Sequence, residues 1–467
     1  MVERWSSVEN KTSNADAIAD VGFDVCVVGA GTAGTVAALS AAAKGAKVAL
    51  IDSKPRALIG RKVCGDTLSV AIVDRVRERL GVQLVAESLE RRLTGVEIFV
   101  HGIDYSIVGD VDFFSVDRHK FGQELVEASQ NAGVEIFDNC RFSEPIVTNG
   151  TVSGVRAYQN GLGPFEFHSA VTIDATGFPG VLTRSVLRHN ESIPVDDMWT
   201  CYREIRQLTK ETDTFSYMTY YFDQSRAPGG IMWTFPRSET KVNTGVCLPP
   251  LAPIKPKDSF SQFVKNTAYF DNSIILESAG APEPVRRPLD TMVGPGMMAV
   301  GDAACQASPI NGGGIDFSIY AADIAGTVAA EAASKGDASL AGLWSYNTEF
   351  MSTLGKEIAL HDVFRHFLCG LTNAEFATIL RRGLLNEHEF LHLVVGGMYS
   401  VSLISKLARA ILYLSEIPLY SRAVKTMWMA RQVFNLYKNF PNPKDFERWR
   451  LTVSSLFDKL PRIVASR

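Results

Sequence analysis

The chain has 467 residues, a formal net charge of −4 and a hydrophobic fraction of 46%. This length exceeds what one compact core accommodates, so two or three sub-domains are expected. The charges show no basic excess, which excludes a nucleic-acid binder.

The N-terminus and the cysteines indicate where the protein works. Residues 1–21 are polar and acidic, and they predict a flexible tail rather than a secretory signal. No stretch reaches the length of uncharged apolar sequence that a spanning helix needs. The seven cysteines are scattered and include no C-x-x-C pair, so neither a metal site nor a disulfide scaffold is predicted. A reducing, cytoplasmic compartment is therefore expected.

Residues 24–52 carry a dinucleotide-binding pattern: a buried strand, G-x-G-x-x-G, an Ala-rich helix, a second strand and an acid. Gly29 permits the tight turn, Gly31 lets a pyrophosphate approach the backbone, and Gly34 lets the helix pack on the sheet. The free N–H groups at the helix start bind the anion, and Asp52 accepts hydrogen bonds from a ribose. This segment alone is equally compatible with NAD and with FAD as the bound cofactor.

Two later segments carry polar groups that suit a cofactor. The loop 59–69 contains Cys64 and leads into a predicted helix over 70–80. Its backbone either lies along the cofactor or forms an ordinary surface loop. Asp117 is placed to cap the next helix, and Arg118 in the first turn either reaches phosphate oxygens or stays solvated.

The middle of the chain predicts a second sheet and a third cofactor element. Residues 186–285 are rich in aromatic residues with high β-propensity, which predicts an antiparallel sheet. Beyond it, a strand ends at Gly301-Asp302, and Gly312–Gly314 opens a helix that is predicted to run from about 315 to 334. Asp302 can bind ribityl hydroxyls, and the helix start can stabilise negative charge on a reduced flavin. A nicotinamide does not need this element, so FAD is favoured.

The last part of the chain, 341–467, has helical periodicity. Residues 403–440 combine several lysines and arginines with interleaved aromatics. Such a helix lies at an anionic membrane surface or packs on the body of the protein, and the sequence leaves both open.

These segments resemble the geranylgeranyl reductase family, which belongs to a larger flavoprotein group that includes the p-hydroxybenzoate hydroxylase-like monooxygenases. The resemblance is carried by the Gly29–Gly34 loop, Cys64-Gly65-Asp66, Gly301-Asp302 and, above all, PGGIMWTFP at 228–236. The family pattern there is P-x-x-Y-x-W-x-F-P, and Ile231 stands where the family has tyrosine. That departure puts any polar contact of the tyrosine in doubt.

The resemblance implies an α/β fold with a Rossmann-like FAD-binding domain of the p-hydroxybenzoate hydroxylase type. This domain is expected to be discontinuous, over 22–185 and 286–340. The antiparallel-sheet substrate domain is expected over 186–285 and a helical region over 341–467. FAD contacts implied by the family fall on Gly34, Asp52, Cys64, Gly65, Thr67, Arg118, Phe142, Asp302, Gly314 and Ile315. The Gly-rich patterns add Gly29, Gly31, Gly301 and Gly313 to the cofactor residues.

The resemblance also implies hydrogenation of isolated C=C bonds in polyprenyl chains, with geranylgeranyl diphosphate or geranylgeranyl ether phospholipids as substrates. Trp233, Phe235 and Ile231 are expected to line the substrate cavity. Cys64 is the candidate catalytic residue because its motif brings it near the flavin ring, although it can equally be a packing residue. The electron donor, a ferredoxin or NAD(P)H, and peripheral membrane contact stay open.

Two alternatives remain at this point. Flavin-dependent monooxygenases and halogenases share the same FAD motifs, although the W-x-W-x-I-P motif of halogenases does not occur in this sequence. A quinone-linked electron-transfer flavoprotein would also carry these motifs.

Overall fold

The computed structural model describes residues 19–85, 87–187, 193–211, 217–395 and 417–461. The predicted tail, 1–21, lies outside these residues except for its last three, which begin the first strand. The strands are β1 (Ala19–Val28), β2 (Val48–Ile51), β3 (Thr67–Ser69), β4 (Leu89–Val100), β5 (Ile107–Val116), β6 (Glu135–Phe137), β7 (Cys140–Thr148), β8 (Thr151–Gln159), β9 (Gly163–Asp174), β10 (Met198–Gln207), β11 (Tyr217–Phe222), β12 (Ile231–Pro236), β13 (Lys241–Leu248), β14 (Ile274–Pro284), β15 (Val293–Gly294) and β16 (Met297–Ala299). The helices are α1 (Thr32–Ala43), α2 (Val70–Leu80), α3 (Arg118–Asn131), α4 (Val181–Val186), α5 (Pro256–Lys265), α6 (Ile315–Lys335), α7 (Leu340–Phe350), α8 (Lys356–Leu368), α9 (Asn373–Arg381), α10 (Glu387–Val395), α11 (Ile417–Lys438) and α12 (Phe446–Phe457).

The first sheet is built around the dinucleotide-binding segment. Its strand order is β15-β16-β9-β1-β2-β6, and β1 pairs in parallel with both β2 and β9. The hairpin β7–β8 extends it from β9, with its turn at Asn149-Gly150, a residue pair that favours hairpin turns. Helix α1 is almost wholly buried between this sheet and α6, because Gly326 lets α6 approach so closely that a Cβ there would lie 2.2 Å from Ala37 O. The carboxyl ends of the parallel strands meet at one edge, where ligands bind in such sheets.

The second sheet has the strand order β14-β10-β13-β12-β11-β4-β5-β3. Two features of the prediction are corrected here. The sheet is mixed rather than antiparallel, because β11 and β4 run parallel. Strands β3, β4 and β5 belong to it, although they lie within the range 22–185 that was expected to bind FAD. The pairing places Tyr217 beside Gly95, where a Cβ would lie 1.7 Å from the tyrosine ring, and such a contact between distant residues leaves no periodic sign in sequence.

A disulfide joins Cys201 of β10 to Cys247 of β13, a pairing that the sequence analysis, which predicted no disulfide scaffold, did not indicate. The two residues are directly opposite each other in the antiparallel register, and their Cα atoms are 4.0 Å apart. They are separated by 46 residues in sequence. Only the pairing of the strands brings the sulfurs together, which is why cysteine spacing did not indicate it.

The C-terminal part is helical in the described residues, as predicted. Helix α11 packs on α8 through one face, on which Tyr420, Ala423, Val433 and Tyr437 are buried. The remainder of the basic segment, 403–416, lies outside the described residues. None of the helices in the described ranges is both long enough and apolar enough to cross a membrane.

Candidate active site

A cavity of about 930 Å³ lies between the carboxyl ends of β1, β2 and β9 and one face of the second sheet. It brings together most of the predicted site residues: Gly29, Gly31, Asp52, Cys64, Gly65, Arg118, Phe142, Trp233, Phe235, Gly301, Asp302, Gly314 and Ile315. Four predicted residues do not line it: Gly34, Thr67, Ile231 and Gly313. A cavity of this size is typical of ligand-binding sites.

The three glycines of the first loop have different roles: Gly31 leaves space for a ligand, whereas Gly29 and Gly34 allow close packing of the backbone. Gly29 has φ +105°, and a Cβ there would lie 2.3 Å from Ala175 O. A Cβ at Gly34 would lie 1.7 Å from Gly29 O, so this glycine serves helix–strand packing. A Cβ at Gly31 would meet no protein atom within 4 Å. The backbone at Gly31 therefore faces open space into which a phosphate can approach.

Asp52 is held rigidly at the end of β2. Its two carboxylate oxygens accept the backbone N–H groups of Ala30 and Lys54, each at 2.7 Å. A carboxylate has about four acceptor positions, so acceptors remain for ribose hydroxyls. The same hydrogen bonds tie the glycine loop to β2.

Arg118 points its guanidinium at the start of α1. Asp117 caps α3 by accepting from the backbone of His119 and Lys120, as predicted. The Arg118 side chain is buried and its Nη2 donates to Thr32 Oγ1, while Nε and Nη1 have no hydrogen-bond partner among the described residues. Helix α1 begins after Gly31 without a side-chain cap. Unused donors of a buried cation beside an uncapped helix start suit a pyrophosphate.

A second group of lining residues suits the flavin half of FAD. The Asp302 carboxylate pairs with Lys62 at 2.6 Å. Helix α6 begins after Gly314 without a side-chain cap, whereas the Gly313 N–H is already used by Asn311 Oδ1. A carboxylate for ribityl hydroxyls and a helix start for the ring complete a donor and acceptor set that fits FAD along the whole cavity.

The loop with Cys64 is fixed to the second sheet by a residue that the sequence analysis missed. Asn243 of β13 donates to Cys64 O and to Asp66 Oδ2, both at 2.8 Å, and accepts from Trp233 Nε1 at 3.1 Å. The Phe235 ring packs on Gly65, where a Cβ would lie 3.0 Å from Cε2. The sequence did carry a sign of this role, because Asn243 is a polar residue within the largely apolar predicted strand 241–247.

Burial governs the ionisation of this loop. It raises the pKa of the Cys64 thiol, and the neighbouring Asp66 carboxylate adds to the shift, so the thiol is neutral near pH 7. Burial likewise raises the pKa of Asp66 to about 6, although Arg203 and Arg237 oppose the shift. Cys64 therefore presents a neutral S–H to the cavity.

An aromatic wall from the second sheet closes the cavity. Tyr220 and Phe235 are in edge contact at 5.1 Å, and Trp233 and Phe235 are 6.3 Å apart between ring centroids. Ile231 lies two residues before Trp233 on β12, so its side chain is on the same face of the strand. Its side chain lines a separate void of about 20 Å³, together with Trp199 and Phe222.

Known proteins match both halves of this arrangement. Residues 24–188 match the family described as FAD dependent oxidoreductase, and residues 197–282 match the family described as geranylgeranyl reductase catalytic domain. The digeranylgeranylglycerophospholipid reductase of Sulfolobus acidocaldarius is 28% identical over 93% of this chain and 97% of its own length. The enzyme designated digeranylgeranylglycerophospholipid reductase 2 in Methanopyrus kandleri is 30% identical over 80% of this chain and 93% of its own length.

Solved structures share the fold. A geranylgeranyl bacteriochlorophyll reductase-like protein from Thermoplasma acidophilum has a TM-score of 0.74 at 21% identity, covering 89% of this chain and all of its own. A flavin-dependent brominase has a TM-score of 0.66 at 19% identity, covering 86% of this chain and all of its own. At these sequence identities the similarity shows a shared fold, and the reaction has to be inferred from the site residues.

Proposed function

Because this chain belongs to the geranylgeranyl reductase family of FAD-dependent oxidoreductases, we propose that it hydrogenates isolated C=C bonds of geranylgeranyl chains. The substrate class is a geranylgeranyl ether phospholipid or a geranylgeranyl diphosphate, as the names of its relatives suggest. The observation that carries the proposal is the single cavity in which the FAD-binding loops face the aromatic wall of the second sheet.

The chemistry of an isolated alkene explains what this cavity must do. Such a bond has no carbonyl to polarise it, so its reduction requires a hydride, a proton and accurate positioning. Reduced FAD supplies the hydride when it is bound. The apolar faces of Trp233, Phe235 and Tyr220 would hold the prenyl chain and exclude water from it.

Cys64 is proposed to act at the reacting face. Its loop is fixed by Asn243, and its thiol is neutral, so it can shape the contact with the ring or give a proton. A Cys64→Ser variant should lose most of its turnover while it keeps FAD. Full turnover with saturated product in this variant would mean that Cys64 is a packing residue.

The decisive experiment is anaerobic. Photoreduced enzyme is mixed with geranylgeranyl lipid or geranylgeranyl diphosphate, and the products are analysed by mass spectrometry. A gain of two hydrogen atoms for each reduced bond supports the reductase. A product that forms only when O₂ is admitted would instead indicate a monooxygenase, and oxidation by a quinone without lipid reduction would indicate an electron-transfer flavoprotein.

The electron donor and membrane contact are further parts of the proposal. A ferredoxin and NAD(P)H are compared directly by their rates of anaerobic flavin reduction.

The proposed membrane contact is made by α11. This helix exposes 58% of the surface of Trp428, and Lys425, Arg431 and Lys438 are exposed on the same helix. A tryptophan among cations suits an anionic bilayer surface. Co-sedimentation with anionic but not zwitterionic vesicles tests this contact.

A further inference from the structure

Glu283 is a carboxylic acid that the sequence analysis did not single out, and it lines the cavity. It lies near the end of β14, and its Oε2 is 3.8 Å from Cys201 Sγ. On its other side, a Cβ built at Gly312 would lie 3.1 Å from the same oxygen. The carboxyl group therefore sits between the Cys201–Cys247 disulfide and the glycine turn that precedes α6.

Each of the other carboxylic side chains that line the cavity has a hydrogen-bond donor or a basic partner. Asp52 accepts two backbone N–H groups, Glu144 accepts from Arg156 at 2.6 Å, and Asp302 pairs with Lys62 at 2.6 Å. Within the described part of the chain, Glu283 has no basic side chain within ion-pair distance. Of these lining acids, Glu283 is the one with neither a backbone N–H donor nor a basic partner among the described residues.

The surroundings of Glu283 favour its neutral form. Burial raises its pKa to about 8, the nearby Asp302 carboxylate adds to the rise, and Lys62 opposes it. From β10, Arg203 also lines the cavity, but it pairs with Glu277 at 2.8 Å. Cys201 is in a disulfide and has no S–H, so this contact at 3.8 Å gives the Glu283 carboxylate no hydrogen bond that would stabilise its charge.

We propose that Glu283 is the proton donor of the double-bond reduction, an inference that rests on the proposed function. The π bond of the alkene breaks as one carbon takes the hydride from reduced FAD and the other takes the Glu283 proton. Two C–H bonds form, oxidised FAD is left, and Glu283 becomes a carboxylate that solvent reprotonates. Cys64 then shapes the reacting face and does not supply the proton.

The test compares the wild type with Glu283→Gln, whose amide keeps the shape of the side chain but cannot act as the acid. Reduced enzyme is mixed anaerobically with geranylgeranyl lipid, and flavin oxidation and saturated product are followed. We expect a loss of at least about 100-fold in the Glu283→Gln rate, the usual contribution of a general acid. FAD affinity and dithionite reduction should stay as in the wild type. Glu331→Gln, an exposed carboxylate on α6, is the matched control.

Two further readouts do not depend on turnover of the variant alone. The wild-type rate should fall as pH rises through about 8, and the residual rate of Glu283→Gln should be flat there. The infrared carbonyl band of a protonated carboxyl should titrate in the same range in the wild type without substrate and be absent from Glu283→Gln. Glu283→Asp, which keeps an acid, should retain the pH-dependent limb.

The outcomes separate this inference from the function on which it rests. If the wild type reduces the lipid and Glu283→Gln does so at a similar rate, the proton donor is another group and the reductase proposal stands. If the wild type reduces no geranylgeranyl substrate, both proposals fail. If Glu283→Gln loses FAD, its low rate does not distinguish a missing proton donor from a missing cofactor. The Glu283→Asp variant then decides: a rate that still falls as pH rises through the alkaline range supports the assignment, and a rate that does not change with pH there overturns it.

Discussion

The side-chain amide of Asn243 donates to the backbone carbonyl of Cys64 at 2.8 Å and thereby fixes the cofactor-side loop to the second sheet. Asn243 belongs to β13 of the second sheet, and the two residues are 179 positions apart in sequence. The position of Cys64 relative to the aromatic wall therefore depends on one buried amide.

Asn243→Ala should weaken both stability and cofactor binding. It leaves the Cys64 carbonyl and the Trp233 N–H buried without partners, each a loss of about 1–3 kcal/mol. Thermal unfolding should shift down by several degrees, and the FAD dissociation constant from fluorescence titration should rise. Asn439→Ala, at an exposed asparagine, is the control. Unchanged values for both quantities would contradict this role.

Arg118→Ala should weaken FAD more than FMN. Two of its buried N–H donors have no partner among the described residues and face the loop where we place the pyrophosphate. A hydrogen bond to a charged group contributes about 1.5–3 kcal/mol, so FAD affinity should fall by roughly tenfold to a hundredfold. FMN lacks the second phosphate and should be affected less. The measurement is a pair of fluorescence titrations, with exposed Arg77→Ala as control. Equal losses for both flavins would argue against a pyrophosphate contact.

Removing the Cys201–Cys247 disulfide should destabilise the second sheet. A cross-link over 46 residues restricts the unfolded chain and typically contributes about 2–4 kcal/mol. The double variant Cys201→Ala/Cys247→Ala should therefore unfold at a lower temperature, and excess dithiothreitol should lower the wild-type midpoint towards it. Peptide mapping without reductant should show the linked pair. If dithiothreitol has no effect on the wild type, the cysteines are already reduced under the conditions used.

His361 should make stability fall in mild acid. Burial lowers its pKa from 6.5 to about 4, and its Nδ1 has no hydrogen-bond partner among the described residues. Between these values the unfolded chain binds a proton that the folded chain excludes, so stability is lost as pH falls from 6.5 towards 4. The full loss is about 3 kcal/mol. Thermal unfolding of His361→Leu should depend less on pH over this interval than that of the wild type. Parallel pH curves would contradict the assignment.

Local sequence patterns predicted the cofactor end of the site. The glycine loop, Asp52 and the Asp117–Arg118 helix start lie within short segments whose chemistry is complete in themselves. The structure has the helix over Val70–Leu80 and a helix beginning at Ile315, both as expected. In each case the residues that form the feature are neighbours in the chain.

The substrate end was decided by tertiary structure. Glu283 and Cys201 meet because β14 pairs with β10, and Cys201 meets Cys247 because β10 pairs with β13. Asn243 of β13 contacts Cys64, which lies in the loop before β3. None of these contacts has a fixed spacing, because strand pairing joins residues at any separation that the intervening chain allows.

The sequence by itself determined the family and FAD as cofactor, and it predicted which residues bind the phosphates. The tertiary structure alone decided that β3, β4 and β5 join the second sheet, that Ile231 faces a separate void, and that the Glu283 carboxyl group lies beside Gly312. The physical reason is the range of the interactions. Helix starts, glycine turns and caps are set by neighbours along the chain, whereas burial, and with it the protonation of Glu283, depends on every element that closes around the cavity.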